Sequence, residues 1–166
     1  MTPLRFLPVM DPSGAAEVEA LARTIWPEHY IPLIGETQVD YMLDRLQGAA
    51  AILDQVQHGT AYYLLQDPQG DSLGYLALQA LEGSLYLSKL YIRKEDRGKG
   101  YASQALGFLK ARAREKGITR IFLRVHKRNP SVAIYQKMGF RITGPLVTEI
   151  GDGFVMDDHR MELDLR

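Results

Sequence analysis

Apolar residues recur along this chain at two spacings, and the change from one to the other divides it into elements. From residue 13 to residue 57 they return every three or four positions, the period of a helix. "DPSGAAEVEALARTIW" reads as a first helix with Ser13 as its cap, and Val18, Leu21, Ala22 and Ile25 share its buried face. "WPEHYIP" interrupts it. Thr37 then caps a second helix that buries Val39, Met42, Leu43 and Leu46, and a short third helix over 49–58 ends near Gly59.

The period then shortens to that of strands. "TAYYLLQ" and "SLGYLALQAL" flank the turn "DPQG", and "SLYLSKLYI" follows Gly83. A helix over 100–116 stops at Gly117, and "ITRIFLRVH" is a buried strand. "NPSVAIYQKMGF" is a short helix capped by Ser131 and ended by Gly139. Two strands, roughly 140–150 and 154–165, meet at "GDG", and residues 4–10 form the first strand of all. The order is βααα-βββ-α-β-α-ββ. That is an α+β chain with a mixed sheet and helices on its faces, expected to be one domain over 1–166.

Composition narrows the chemistry. The 166 residues contain no cysteine, so disulfides, a thiol nucleophile and cysteine metal sites are excluded. His29, His58, His126 and His159 show no ligand spacing, and no metal is expected. No apolar run nears a membrane span and no secretory leader opens the chain, so a cytoplasmic protein without membrane contact is expected. Net charge is zero but uneven: residues 89–128 hold 13 Lys and Arg against three Asp and Glu. Nucleic-acid binding is one reading of such a stretch, but no aromatic platform accompanies Lys110, Arg112, Arg114 and Lys116, and none is expected. A solvated helix face with cations at its C-terminus is another, and a polyphosphate ligand is a third.

The stretch "DRGKGYASQAL" decides between them. A strand, a glycine-rich turn and a helix in succession offer free backbone N–H groups and a favourable dipole to an anion. A Walker loop fails because Tyr101 follows Gly100, and a dinucleotide fingerprint fails because Ser103 stands where glycine is needed. "RGKGYA" instead resembles the pyrophosphate loop R/Q-x-x-G-x-G/A of the GNAT superfamily of N-acetyltransferases. "LRVHKRNPSVAIYQKMGF" carries the second half of the resemblance, an asparagine after a strand and a tyrosine in the short helix before K-x-G-F.

The resemblance implies a GNAT-like acyl-CoA N-acyltransferase fold and an acetyl-CoA-dependent N-acetyltransferase, with acetyl-CoA as co-substrate. It implies that Leu90 and Ile92 present backbone groups to the pantetheine arm, and that Arg97, Gly98, Lys99, Gly100, Tyr101 and Ala102 line the pyrophosphate. Asn129 would bond the arm, Lys137 would help with a phosphate, and Tyr135 would stand beside the sulfur as general acid. A phenol is a weaker acid than a thiol, so Tyr135 would act mainly as a hydrogen-bond donor to the sulfur.

The base is open. Many family members carry a glutamate on the strand before the loop, and "SLYLSKLYI" has no carboxylate. Glu82, His126, Asp157, Asp158 and His159 are the alternatives. Trp26, His29 and Tyr30, with Asp157, are the candidate acceptor-binding residues. The N-terminal 88 residues carry 11 Asp and Glu against three Arg and no Lys, which favours a cationic amine, small molecule or protein, as partner. A catalytically silent acyl-CoA-binding regulatory module is the alternative function. A monomer or homodimer is expected.

Overall fold

A computed structural model describes residues 2–166. The elements are β1 (Arg5–Pro8), α1 (Pro12–Ile34), α2 (Glu36–Leu46), α3 (Ala49–Gln57), β2 (Ala61–Gln66), β3 (Ser72–Leu81), β4 (Ser84–Ile92), α4 (Tyr101–Glu115), β5 (Arg120–His126), α5 (Ser131–Lys137), β6 (Arg141–Gly151) and β7 (Phe154–Asp164). A single 3-10 turn, Lys94–Asp96, follows β4. The strands form one mixed sheet in the order β1-β2-β3-β4-β5-β7-β6, with β4 and β5 parallel. This is the expected element order and fold class.

The chain forms two compact units. One holds the described residues through Gln79 together with Lys89–Leu106, and the other holds Ala80–Ser88 and Gly107–Arg166.

In the first unit, α1 is capped by Asp11 rather than Ser13. The Asp11 carboxylate accepts from the Gly14 N–H at 2.8 Å, and Pro12 takes the first helical position, where no N–H is needed. The helix also runs straight through "WPEHYIP", 23 residues in all. Pro27 and Pro32 each remove one backbone bond and leave the carbonyls of Arg23 and Glu28 without a donor. Both of those residues are exposed, so water can serve them, and the buried Trp26 and Tyr30 hold this part of the helix to the core. The break comes at Gly35, at φ +86°, where L-residues are strained. Gly35 is also the N-cap of α2, so Thr37 lies inside the first turn, and Leu46 is 37% exposed rather than buried.

A directional chain of buried hydrogen bonds ties these helices to the sheet. The Trp26 indole N–H donates to Tyr75 (2.9 Å), the Tyr75 hydroxyl to Gln47 (2.6 Å), the Gln47 amide to Tyr62 (3.0 Å), and the Tyr62 hydroxyl to Gln55 (2.5 Å). Each hydroxyl both accepts and donates, so the relay satisfies its own buried groups. Gly74 on β3 is required by space. A Cβ there would run into the Tyr91 carbonyl oxygen.

In the second unit, β4 and β5 pair over three residues, Leu85–Leu87 with Ile121–Leu123, and β7 pairs antiparallel with both β5 and β6. Parity divides the β5–β7 ladder into two faces. Ile121, Leu123, Met161 and Leu163 are buried on one face. Phe122, Arg124 and His126 lie opposite Glu162, Arg160 and Asp158 on the other.

Candidate active site

The loop between β4 and α4 has the chemistry of an anion cradle. Gly98 and Gly100 sit at φ +76° and +83°, so the backbone itself demands glycine at both. A Cβ on Gly98 would meet nothing within 4 Å, so the loop has open space beside it. Arg97 and Lys99 are exposed, while Tyr101 anchors the first turn of α4 in the core. The loop is pinned from beneath by the buried Asp96, which accepts from Arg93 at 2.8 Å and lies 3.6 Å from the Lys99 ammonium. Asp96 and then burial set the balance on Arg93, whose pKa rises. The Arg97 Nε–H donates to the Ile92 carbonyl at 3.1 Å, which folds that side chain back over the end of β4. Ile92 therefore already uses the carbonyl that the resemblance would offer to a pantetheine arm. At α4 the Gln104 side chain accepts from the Leu4 N–H and donates to the Thr2 carbonyl, fixing the start of the chain to this helix.

The same unit gathers an aromatic cluster. Trp26, Tyr30, Tyr75 and Tyr91 have neighbouring ring centroids 5.3–6.1 Å apart, and the Tyr30 and Tyr91 hydroxyls meet at 2.7 Å. His29 packs edge-on against Tyr30 at 4.8 Å. Trp26 is 2% exposed and spends its N–H on Tyr75, which gives it a framework role. Tyr30 is buried, and His29 is the half-exposed member of the expected acceptor trio. Lys89 on β4 was not singled out by its sequence. Burial lowers its pKa to about 8. The one signal was a lone cation inside an otherwise apolar and hydroxyl-bearing strand.

In the second unit the turn after β5 is tightly built. The Asn129 N–H donates to the His126 carbonyl at 2.9 Å, and the Asn129 side-chain oxygen accepts from the Ser131 N–H at 2.8 Å. Asn129, buried to 6% exposure, is thus the residue that starts α5, the part expected of Ser131. Tyr135 is half-buried, its ring edge-on to Phe140 at 5.6 Å, and Lys137 is exposed in the last turn. Gly139 ends α5 at φ +101°.

The Arg128 N–H donates to the His126 Nδ1 at 3.2 Å. That bond assigns the proton of the neutral ring to Nε2. Burial, then Arg128, lowers the His126 pKa. Asp157 is half-buried; its Oδ2 pairs with Lys127 at 2.8 Å, and its Oδ1 is buried without a hydrogen-bond partner. Asp158 is 5% exposed, and its Oδ1 is buried without a hydrogen-bond partner. Burial lifts its pKa to about 6, against the opposing pull of Arg124. Among the described residues no group of three or more His, Asp or Glu could hold a metal ion. No helix among them is long and apolar enough to cross a membrane.

The family model described as the acetyltransferase (GNAT) family matches residues 18–140. The chain belongs to the GNAT family. A curated relative, the uncharacterised N-acetyltransferase YobR of Bacillus subtilis strain 168, is 28% identical over 119 residues, 70% of this chain. The chain spans 45% of that relative's length. Among solved structures, the PaiA N-acetyltransferase of Thermoplasma acidophilum in complex with coenzyme A matches at TM-score 0.80 and 19% identity, covering 97% of this chain and 98% of that one. A spermidine N-acetyltransferase SpeG chimera from Vibrio cholerae and hSSAT matches at TM-score 0.72 and 20% identity, covering 99% and 96%. These likenesses establish the fold.

Proposed function

We propose that this protein transfers an acetyl group from acetyl-CoA to a primary amine, with cationic amines preferred. The observation that carries the reading is the loop before α4, with two glycines at positive φ, open space beside Gly98, and exposed Arg97 and Lys99 at a helix N-terminus. The donor set fits a pyrophosphate. Arg97, Gly98, Lys99, Gly100, Tyr101 and Ala102 would hold it, with Lys137 near a further phosphate. The backbone of Leu90, and the N–H side of Ile92, would hold the pantetheine arm. The β4–β5 ladder, which runs only from Leu85 to Leu87, supports that reading by stopping short of both residues. Asn129 fixes the start of α5 and so orients Tyr135, whose hydroxyl would donate to the departing sulfur.

Acetyl-CoA supplies the activated acyl group. The protein must hold it, present a neutral amine, and return a proton to sulfur. The neutral form is the costly one, since an alkylammonium of pKa near 10.4 is deprotonated only about once in a thousand at pH 7.4. The acceptor preference rests on charge. The N-terminal 88 residues and the last 38 are both acidic, with 11 Asp and Glu against three Arg, and six against four Lys and Arg. Such a field draws a cation. His29 and Tyr30 are the residues proposed to meet it, and Asp157 would add its charge only when its pair with Lys127 opens.

The deciding experiment is CoA binding followed by an amine screen. Acetyl-CoA is expected to raise the melting temperature by linkage to the native state. Gly100→Val is expected to abolish that shift while the variant stays folded, because it puts a side chain into a loop that a phosphate must enter. Equal CoA affinity in a folded Gly100→Val protein rules out the loop as the donor site.

A further inference from the structure

The site lacks a carboxylate on β4, and something must take the proton of the acceptor ammonium. His126 is disqualified by its own hydrogen bond, because Nδ1 already accepts from the Arg128 N–H and Nε2 carries the ring proton. Asp157 also has a buried oxygen without a hydrogen-bond partner, but its other oxygen is held in an ion pair with Lys127 at 2.8 Å, and the side chain is 42% exposed. Asp158 stands apart. It lies directly across the ladder from His126, whose carbonyl receives the Asn129 N–H. It is 5% exposed, with a buried oxygen that no protein group serves.

Its charged neighbours are bound elsewhere. Two arginines share its face, Arg124 from β5 and Arg160 from β7. A purely structural carboxylate would be expected to capture one of them. Neither does so within 4 Å: Arg124 lies over the Tyr86 ring at 5.5 Å, and Arg160 over Phe122 at 3.9 Å while reaching Glu162 at 3.5 Å. Tyr86 on β4 lies within its electrostatic reach, and the opposing position on β6 is the apolar Leu146. Buried charges are normally paired, so an unpaired one kept beside two available cations points to a partner from outside the chain.

We infer that Asp158 is the terminal proton acceptor of the transfer reaction, a role that rests on the acetyltransferase reading above. The carboxylate is too enclosed for an amine to sit against it, so the proton reaches it through one water. The ammonium N–H bond breaks and the proton passes to the carboxylate. The freed nitrogen lone pair forms the C–N bond as the C–S bond of the thioester breaks. The second nitrogen proton ends on the sulfur, and Asp158 returns the first to solvent. The weak acidity imposed by burial suits the task, because a carboxylate with pKa near 6 takes a proton more readily than an exposed one and is still ionised at neutral pH.

The test uses the full chain with acetyl-CoA, a panel of cationic amines headed by 1,4-diaminobutane, and kcat read as thiol release from pH 5 to 9. The wild type is expected to show a limb near pH 6, set by Asp158 in the field of Arg124, Asp157, His126, Tyr86 and Arg160. Asp158→Asn is expected to lower kcat by about 100-fold or more and to remove the limb, with CoA affinity unchanged. Asp158→Glu is expected to restore part of the rate and to bring back a displaced limb, which a packing role would not do. If Asp158→Asn keeps both rate and limb, or if CoA binds and no amine is turned over, the assignment to Asp158 is wrong. If CoA itself does not bind, the acetyltransferase reading falls, and this one with it.

Discussion

Replacing Asp158 by asparagine should make the protein more stable at neutral pH. The side chain keeps its size and loses its charge. In the folded protein burial raises the pKa from 3.8 to about 6, roughly two units. Each unit is about 1.4 kcal/mol, so ionised Asp158 costs the native state up to about 3 kcal/mol at pH 7.5. The pH dependence has a definite sign. The folded pKa lies above the unfolded one, so the native state holds more protons between pH 4 and 6, and the group's contribution weakens as pH rises through 6. Removing the charge restores that loss. For a chain of this size the gain corresponds to a rise in Tm of about 6–12 °C. Urea melts of wild type and Asp158→Asn at pH 7.5 and pH 3.5 read the effect directly, since the difference between the two proteins isolates this one group. The variant should be more stable at pH 7.5, and the curves should converge at pH 3.5. Equal or lower stability of the variant at pH 7.5 would refute the reasoning and show that Asp158 finds compensation in the fold. A variant that is more stable and less active would carry the mark of a residue kept for chemistry at the expense of the fold.

Tyr135→Phe removes only the hydroxyl proposed to reach the sulfur, and is expected to lower kcat by about 10- to 1000-fold with little change in acetyl-CoA affinity, measured by thiol release and calorimetry. Tyr75→Phe cuts the buried relay in its middle, stranding the Trp26 N–H and the Gln47 oxygen, and should cost about 2–4 kcal/mol in a urea melt. Gly74→Ala should cost at least about 3 kcal/mol or prevent folding, because its Cβ would strike the Tyr91 carbonyl, and a soluble variant with wild-type Tm would show that β3 and β4 can separate freely there.

Local signals in this chain were legible and long-range ones were not. The element order followed from apolar spacing, because each helix or strand carries its own period. The loop from Arg97 to Ala102 was readable because its geometry depends on adjacent glycines. The caps lie two residues before the positions the sequence suggests. Asp11, Gly35 and Asn129 do the work expected of Ser13, Thr37 and Ser131, and all of these are residue types that suit the position. The helix through Pro27 and Pro32 was hidden for a different reason. A proline breaks a helix only when nothing else holds it, and what holds α1 is Trp26 and Tyr30 packing on Tyr75 and Tyr91, up to 65 residues away.

The same distance effect concealed Asp158. In "DDHRMELD" three adjacent titratable side chains look alike, and nothing local ranks them. Register ranks them at once. When β7 pairs with β5 so that Asp158 meets His126 and Arg160 meets Arg124, alternation sends Asp157 and His159 to one side of the sheet and Asp158 to the other. Asp157 finds Lys127 there and pairs with it through Oδ2, its Oδ1 staying buried. Asp158 lies on the face that carries Phe122, Arg124 and Arg160, whose guanidinium groups already cover the Tyr86 and Phe122 rings, and keeps a buried oxygen without a partner. A one-residue slip would exchange the two aspartates and place the well-paired one on the aromatic face. The chemistry proposed for this protein therefore depends on the pairing of β5 with β7 as much as on the residue itself, and it reaches the turn that carries Asn129 and Tyr135 through His126, the last residue of that ladder.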